Sequence, residues 1–371
     1  MSNKTNKEAK HGKQNNQKMK PYLVMQYLLK YSDKENVVTA YEIVDYLEEC
    51  GITAERRSVY RDIEEINKAS LIIENDYTIE EAEQELAEDE YNESKLIIYD
   101  KSKKGFYACR RNYDITDIKL LAECVYSAKF LDKSQSDFLI DIICNLTNER
   151  QAETIKHDVL LTDRIRTNNA EVINNIAVIN EAMSKKLDGE KHLPEKISFK
   201  YLKYSISDVK NQVERRHGEK YIVNPFALLI NDGNYYLLAF DEKKSKFIHY
   251  RIDRMKSVER IGAAREGEKE FKQIDLKNYT QRVFSMYGGV EKRVTLRFIN
   301  PLLDTAIDRF GKKDVQYFKS DEKHFTVSAK VEVSNQFFGW LLGFGKGVKV
   351  ISPPEVKDEF AAYIDKIRDM Y

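Results

Sequence analysis

Before about residue 187 most apolar residues of this chain recur every three or four positions, and at Lys196 the period changes to two. Spacing of three and four puts side chains on one helix face; spacing of two puts them on one strand face. One uniform bundle or one uniform sandwich is therefore excluded, and an α+β multidomain protein is expected. The length of 371 residues agrees, since single cores stop growing near about 250 to 300 residues.

The helical part opens with Pro21, suited to a first helical turn, then Val24, Tyr27, Leu28 and Tyr31 on one face. Thr39 and Glu42 form a capping-box pattern before Ile43, Tyr46 and Leu47. Gly51 ends that helix, and Thr53 is the next N-cap candidate, with Glu55 in the following turn. Val59, Ile63 and Ile66 supply a buried face to about Ala69, leaving Arg56, Arg57, Ser58, Tyr60 and Arg61 largely on other faces. Two helices joined by a short turn containing Gly are the helix-turn-helix signature. Spacing alone equally fits a solvated Arg-rich face on an ordinary helical hairpin. Strands expected at 71–73 and 96–99, then Gly105-Phe106-Tyr107, fit a wing, with a dense acidic stretch from Glu80 to Glu93 between them.

Beyond residue 114 the sequence predicts helices: Ile118, Leu121, Ala122 and Val125 share a face, as do Phe138, Ile142 and Leu146, and Val172, Ile176, Ile179 and Met183. From Lys196, Ile197, Phe199 and Tyr201 alternate with polar residues, and Asn231-Asp232-Gly233 marks a hairpin turn. These short strands predict a small antiparallel barrel. The last segment reads β-α-β-β-α-β plus a helix, the order of a ferredoxin-like domain.

The charges cancel, 61 Lys and Arg against 61 Asp and Glu, so distribution rather than sum must speak for any partner. Four scattered cysteines without CxxC spacing suit buried thiols in a reducing cytosol, and no apolar run reaches membrane-spanning length, so a cytoplasmic protein is expected. Gly343-Phe344-Gly345-Lys346-Gly347 lacks phosphate-loop spacing and more simply ends a helix before a strand. No HExxH, GxSxG or paired-carboxylate pattern appears, so catalytic residues, metal and cofactor are all expected to be none.

Three stretches together resemble the bacterial WYL-domain transcriptional regulators. The first is Arg57-Ser58-Val59-Tyr60-Arg61-Asp62-Ile63. The second runs from Asn224-Pro225-Phe226 through Asn234-Tyr235-Tyr236-Leu237 to Tyr250-Arg251-Ile252-Asp253-Arg254-Met255. The third is Phe338-Gly339-Trp340-Leu341-Leu342-Gly343-Phe344-Gly345 with Ser352-Pro353-Pro354-Glu355. Tyr235 stands where the family name has Trp. The polar, Lys-rich start reads as a basic disordered tail at 1–19, and the resemblance implies a winged helix-turn-helix at 20–113, with the acidic insertion at 76–95. A helical linker and dimerisation region at 114–192 and an Sm/SH3-like WYL barrel at 193–265 follow. A linker at 266–289 leads to a ferredoxin-like C-terminal extension at 290–371. It implies a homodimeric regulator, a repressor by expectation and a candidate for phage-defence responses. Thr53, Arg56, Arg57, Ser58, Tyr60 and Arg61 would meet double-stranded promoter DNA. A small anionic or nucleic-acid effector would sit against Tyr201, Tyr221, Tyr236, His249, Arg251 and Arg254. Guanidiniums bind phosphate in pairs of hydrogen bonds and aromatic faces stack on bases. The other readings of those residues are an Asp253–Arg254 ion pair with tyrosines in core packing. Arg215, Arg216 and His217 would form either a basic rim or a solvated hairpin tip. A nucleic-acid-processing enzyme and an adaptor without promoter specificity remain the alternative functions.

Overall fold

A computed structural model describes residues 16–109, 113–159, 166–187, 189–274, 276, 279, 283, 288–313 and 315–371. The basic tail expected at 1–19 lies outside the described residues up to residue 15, as do several positions of the expected linker at 266–289. The chain forms two compact units, Met1–Ser127 with Ser136–Arg164, and Ala128–Gln135 with Ile165–Tyr371.

The first unit begins with α1 (Lys20–Tyr31), α2 (Ala40–Glu49) and α3 (Arg56–Asn75). Their inward faces, Val24, Leu28, Ile43, Leu47, Val59 and Ile63, make one core. The Thr39 capping box forms as expected, the Glu42 carboxylate accepting the Thr39 N–H at 2.7 Å. Three expectations are corrected here. First, α3 starts at Arg56 and not at Thr53. Glu55 is its cap, and Ser58 Oγ donates to the Glu55 carbonyl at 2.7 Å while accepting the Glu55 N–H at 3.3 Å. Thr53 lies in a turn longer than expected, its carbonyl accepting from the Gln17 amide at 3.1 Å.

Second, residues 71–73 continue α3 and form no strand. The buried helix face runs on through Asn67, Ser70 and Leu71 while Ile73 points outward, so the short β-branched run misleads. Third, the acidic segment precedes the hairpin instead of interrupting it. It forms α4 (Ile79–Glu88), and the hairpin is β1 (Ile97–Asp100) with β2 (Gly105–Ala108). Asn67 fixes this hairpin to α3: its side-chain amide donates to the Ile97 carbonyl at 2.9 Å, and its oxygen accepts the Ile97 N–H at 2.8 Å. The hairpin tip is therefore Lys101-Ser102-Lys103-Lys104, exposed and basic.

Helices α5 (Ile115–Ser127), α6 (Lys133–Cys144) and α7 (Glu149–Val159) follow. Their core is Ile118, Ala122, Ile140, Cys144 and Ile155. The expected stripe Phe138, Ile142 and Leu146 faces outward. Both sides of α6 are apolar, so period alone does not say which side is buried. No described helix is long and apolar enough to cross a membrane.

In the second unit α8 (Val172–Met183) buries Val172, Asn175, Ile179 and Ala182, and Asn175 donates to the Met255 carbonyl at 3.0 Å. A short hairpin, β3 (Lys186–Leu187) and β4 (Glu190–Lys191), leads into β5 (Glu195–Ser205), β6 (Asp208–Glu214), β7 (Tyr221–Asn231), β8 (Asn234–Asp241), β9 (Lys246–Arg251) and β10 (Met255–Ala264). The sheet order is β10-β5-β7-β8-β9 with β6 on β5, antiparallel throughout. The expected closed barrel is thus a half-barrel: β9 and β10 join through the short turn Ile252–Arg254 and do not pair among the described residues. At the β7–β8 turn Asp232 and Gly233 both take positive φ (50° and 73°), as a two-residue hairpin requires. Tyr235, at the position of the variant aromatic, packs on Phe130 with ring centroids 5.0 Å apart.

After α9 (Glu268–Phe271) comes β11 (Val290–Ile299), α10 (Leu303–Phe310), β12 (Gln316–Lys319), β13 (His324–Val333), α11 (Asn335–Leu342), β14 (Val348–Ser352) and α12 (Pro354–Arg368). The strand order is β12-β13-β11-β14, antiparallel, over a core of Leu296, Phe298, Val327, Phe337 and Leu341. The Gly-rich stretch ends α11 at Gly343 and turns through Gly345–Gly347 into β14.

Candidate functional site

Two groups of sequence-selected residues can be built up from the fold, one in each unit. In the first unit the buried stripe of α3 turns Arg56, Arg57 and Arg61 outward, all three exposed. Arg56 is partly engaged: its guanidinium donates to the Tyr41 hydroxyl at 2.8 Å and lies 4.4 Å from the centre of that ring. Arg57 and Arg61 form no ion pair among the described residues. Arginines left exposed and unpaired suit phosphate oxygens or guanine edges. The other members of the set serve the helix. Ser58 closes its cap, and Tyr60 packs edge-on against Phe106 at 5.0 Å and beside Tyr99 at 6.1 Å. Tyr41 was missed by sequence reasoning; it sits on α2, and only the crossing of α2 and α3 brings it to Arg56. Lys20 meets Asp62 at 3.0 Å, with both side chains largely buried, and ties the start of α1 to α3.

In the second unit all six residues selected as ligand contacts line one cleft of about 1550 Å³. The strand register explains this. Phe199 pairs with Tyr221, Tyr201 with Met255, and Tyr236 with Arg251. Phe199 and Tyr221 stack with planes 7° apart, and Tyr201 and Tyr250 stand edge-on to one another. Burial pushes the hydroxyl pKa of Tyr201 and Tyr236 up, and that of Tyr250 up to about 12, so these phenols stay neutral donors.

Arg251 is held in two ways. Its Nε and Nη2 donate to the two carboxylate oxygens of Asp253 at 3.0 and 2.7 Å, and its backbone N–H donates to the Tyr201 hydroxyl at 3.1 Å. Burial alone would lower the Arg251 pKa; the Asp253 carboxylate more than offsets it, and the net direction is upward. The ion pair considered from sequence, Asp253 with Arg254, is thereby corrected: the carboxylate is fully taken by Arg251, two residues away across the turn. Arg254 has no carboxylate partner among the described residues. His249 lies with its ring 5.5 Å from that of Tyr279. Lys203, Tyr250 and Tyr279 also line the cleft; the sequence offers no spacing signal that would have grouped them. Among the described residues no group of His, Cys, Asp or Glu is placed to hold a metal ion.

Residues 195–260 match the WYL domain and residues 291–368 match the WCX domain. No curated protein matches the chain. Among solved structures the chain is similar to proteasome accessory factor B/C of Arthrobacter aurescens, at 14% identity and a TM-score of 0.27, covering 95% of this chain and 48% of that one. The chain thus spans about half the length of that relative. It is also similar to a CRISPR Cas-related protein, at 14% identity and a TM-score of 0.32, covering 93% of this chain and 97% of that one. The six cleft residues lie on the matched WYL sheet, and the chain carries a WYL domain followed by a WCX domain.

Proposed function

We propose that the chain is a DNA-binding transcriptional regulator whose WYL cleft takes a phosphorylated, base-bearing effector. The observation that carries the DNA-binding half is the outward face of α3. Arg57 and Arg61 project, without ion-pair partners among the described residues, from a helix whose cap, core and hairpin fix its orientation. In this reading α1 to α3 with the β1–β2 hairpin are a winged helix-turn-helix, α3 enters the major groove, and the lysines of the hairpin tip meet phosphates. The β12-β13-β11-β14 order suits a ferredoxin-like WCX domain. The effector half rests on the basic and aromatic lining of the cleft, where Arg251 and Arg254 would take phosphate and the tyrosines would take the base. In this reading the protein acts as a homodimeric repressor on two half-sites.

The test is retardation of the DNA flanking the protein's own gene, against unrelated DNA as competitor. Specific, salt-sensitive retardation is expected. Equal competition by unrelated DNA would favour an adaptor without promoter specificity. Turnover of labelled DNA, RNA or nucleotides in divalent metal would favour an enzyme.

A further inference from the structure

In the second unit the turn Arg215–Gly218 joins β6 to β7. Arg216 (φ 50°, ψ 39°), His217 (φ 53°, ψ 30°) and Gly218 (φ 87°) are three consecutive residues in the left-handed region. Side-chain-bearing residues adopt that region at a cost, and in series only where something holds them there. Glycine suits position 218 because its φ of 87° strains any side chain; a Cβ there would also come within 2.7 Å of the Glu214 carboxylate, which Lys200 holds at 2.9 Å. The turn folds back over the cleft. The Arg216 guanidinium lies 4.2 Å from the centre of the Tyr221 ring, and that of Arg215 lies 5.8 Å from the centre of the Tyr201 ring. Both arginines are exposed and line the cleft, and no carboxylate among the described residues pairs with either.

We infer that the Arg215–Gly218 turn is a displaceable cap on the tyrosine platform, which makes the cleft select phosphorylated over neutral base-bearing ligands. This rests on the reading of the cleft as an effector site. A base that stacks on Tyr221 must take the ring face that Arg216 covers. The Arg216 guanidinium is itself exposed, so water screens its hold on the Tyr221 ring and it yields to a base. A guanidinium pushed off the ring stands beside the new ligand, where a phosphate can accept two of its hydrogen bonds. A neutral ligand displaces the arginine and returns nothing to it. A phosphorylated ligand replaces the lost contact with a stronger one. The reading of these arginines as a solvated hairpin tip gives no such discrimination.

The experiment compares two hexadeoxyadenylates on the full chain, one with the natural phosphodiester backbone and one with a neutral methylphosphonate backbone. The chain carries Arg57→Ala and Arg61→Ala so that α3 adds no charge-dependent binding. The expected result is at least tenfold tighter binding of the charged oligomer. Adding Arg215→Gln and Arg216→Asn, the latter tolerant of the left-handed backbone, is expected to shrink that ratio to about threefold or less. The neutral oligomer keeps or gains affinity, and the melting temperature is unchanged. A ratio that persists in the doubly changed turn, or a parallel loss for both oligomers, would overturn the cap. Binding of neither oligomer before the turn is changed would overturn the reading of the cleft itself.

Discussion

Arg57 and Arg61 of α3 and Arg251 of the WYL cleft are opposite solutions to placing a guanidinium. On α3, Arg57 and Arg61 stand exposed with no ion pair among the described residues, and the helix beneath them is what is fixed. In the cleft, Arg251 is half-buried, locked to Asp253 by two hydrogen bonds, and its backbone is pinned by Tyr201. The exposed pair loses little solvation and gains most from a polyanion that brings many phosphates. The half-buried one has its charge compensated already, so in the proposed reading its value lies in fixed orientation toward a small ligand. Changes at the two places should therefore differ: stability suffers when the Arg251–Asp253 pair is broken, while binding alone suffers when Arg57 or Arg61 is changed.

The largest effect on stability is expected at Asp253. Asp253→Ala leaves Arg251 without its partner and should cost about 3 kcal/mol, the low end of the range for broken buried pairs because Arg251 keeps some exposure. Urea unfolding of the second unit measures it, and the double change Arg251→Leu with Asp253→Leu should recover most of the loss. If Asp253→Ala melts like the unchanged chain, the pair is decoration and the contrast fails.

A middle effect is expected at Tyr60, whose ring packs on Phe106 and Tyr99. Tyr60→Ala should cost about 2 kcal/mol and loosen the hairpin, seen as faster amide exchange at Ile97. Protection left intact there would show that Asn67 alone holds β1. A smaller loss, about 0.5 to 1 kcal/mol, is expected for Ser58→Ala through the cap of α3. The smallest is Arg57→Ala, which should leave stability within about 0.5 kcal/mol, as for other surface changes. A larger loss would mean that Arg57 is tied into the fold.

Much of this was legible in the sequence, for physical reasons. The Thr39 capping box, the Asn231-Asp232-Gly233 turn, the limits of α11 and the start of α12 are set by local chemistry. The six cleft residues were legible as members of neighbouring strand segments, with the resemblance pointing to Arg251, and strand register brings them together. What was not legible depends on tertiary partners. Residues 71–73 look like a strand until the buried face of α3 and the Asn67 hold on Ile97 are seen. The acidic stretch looks like part of the wing until β1 is found only after it. Asp253 could serve Arg251 or Arg254 by spacing, and the turn geometry decides.

The central claim is that α3 reads DNA through exposed, unpaired arginines. The direct measurement is the salt dependence of binding to the DNA flanking the protein's own gene, for the unchanged chain and for Arg57→Ala with Arg61→Ala. The account predicts that the double change weakens binding at least tenfold, reduces the slope of log affinity against log salt by about 1 to 2, and leaves the melting temperature unaltered. An unchanged affinity and slope in a folded double variant would contradict it and move the DNA-binding surface off α3.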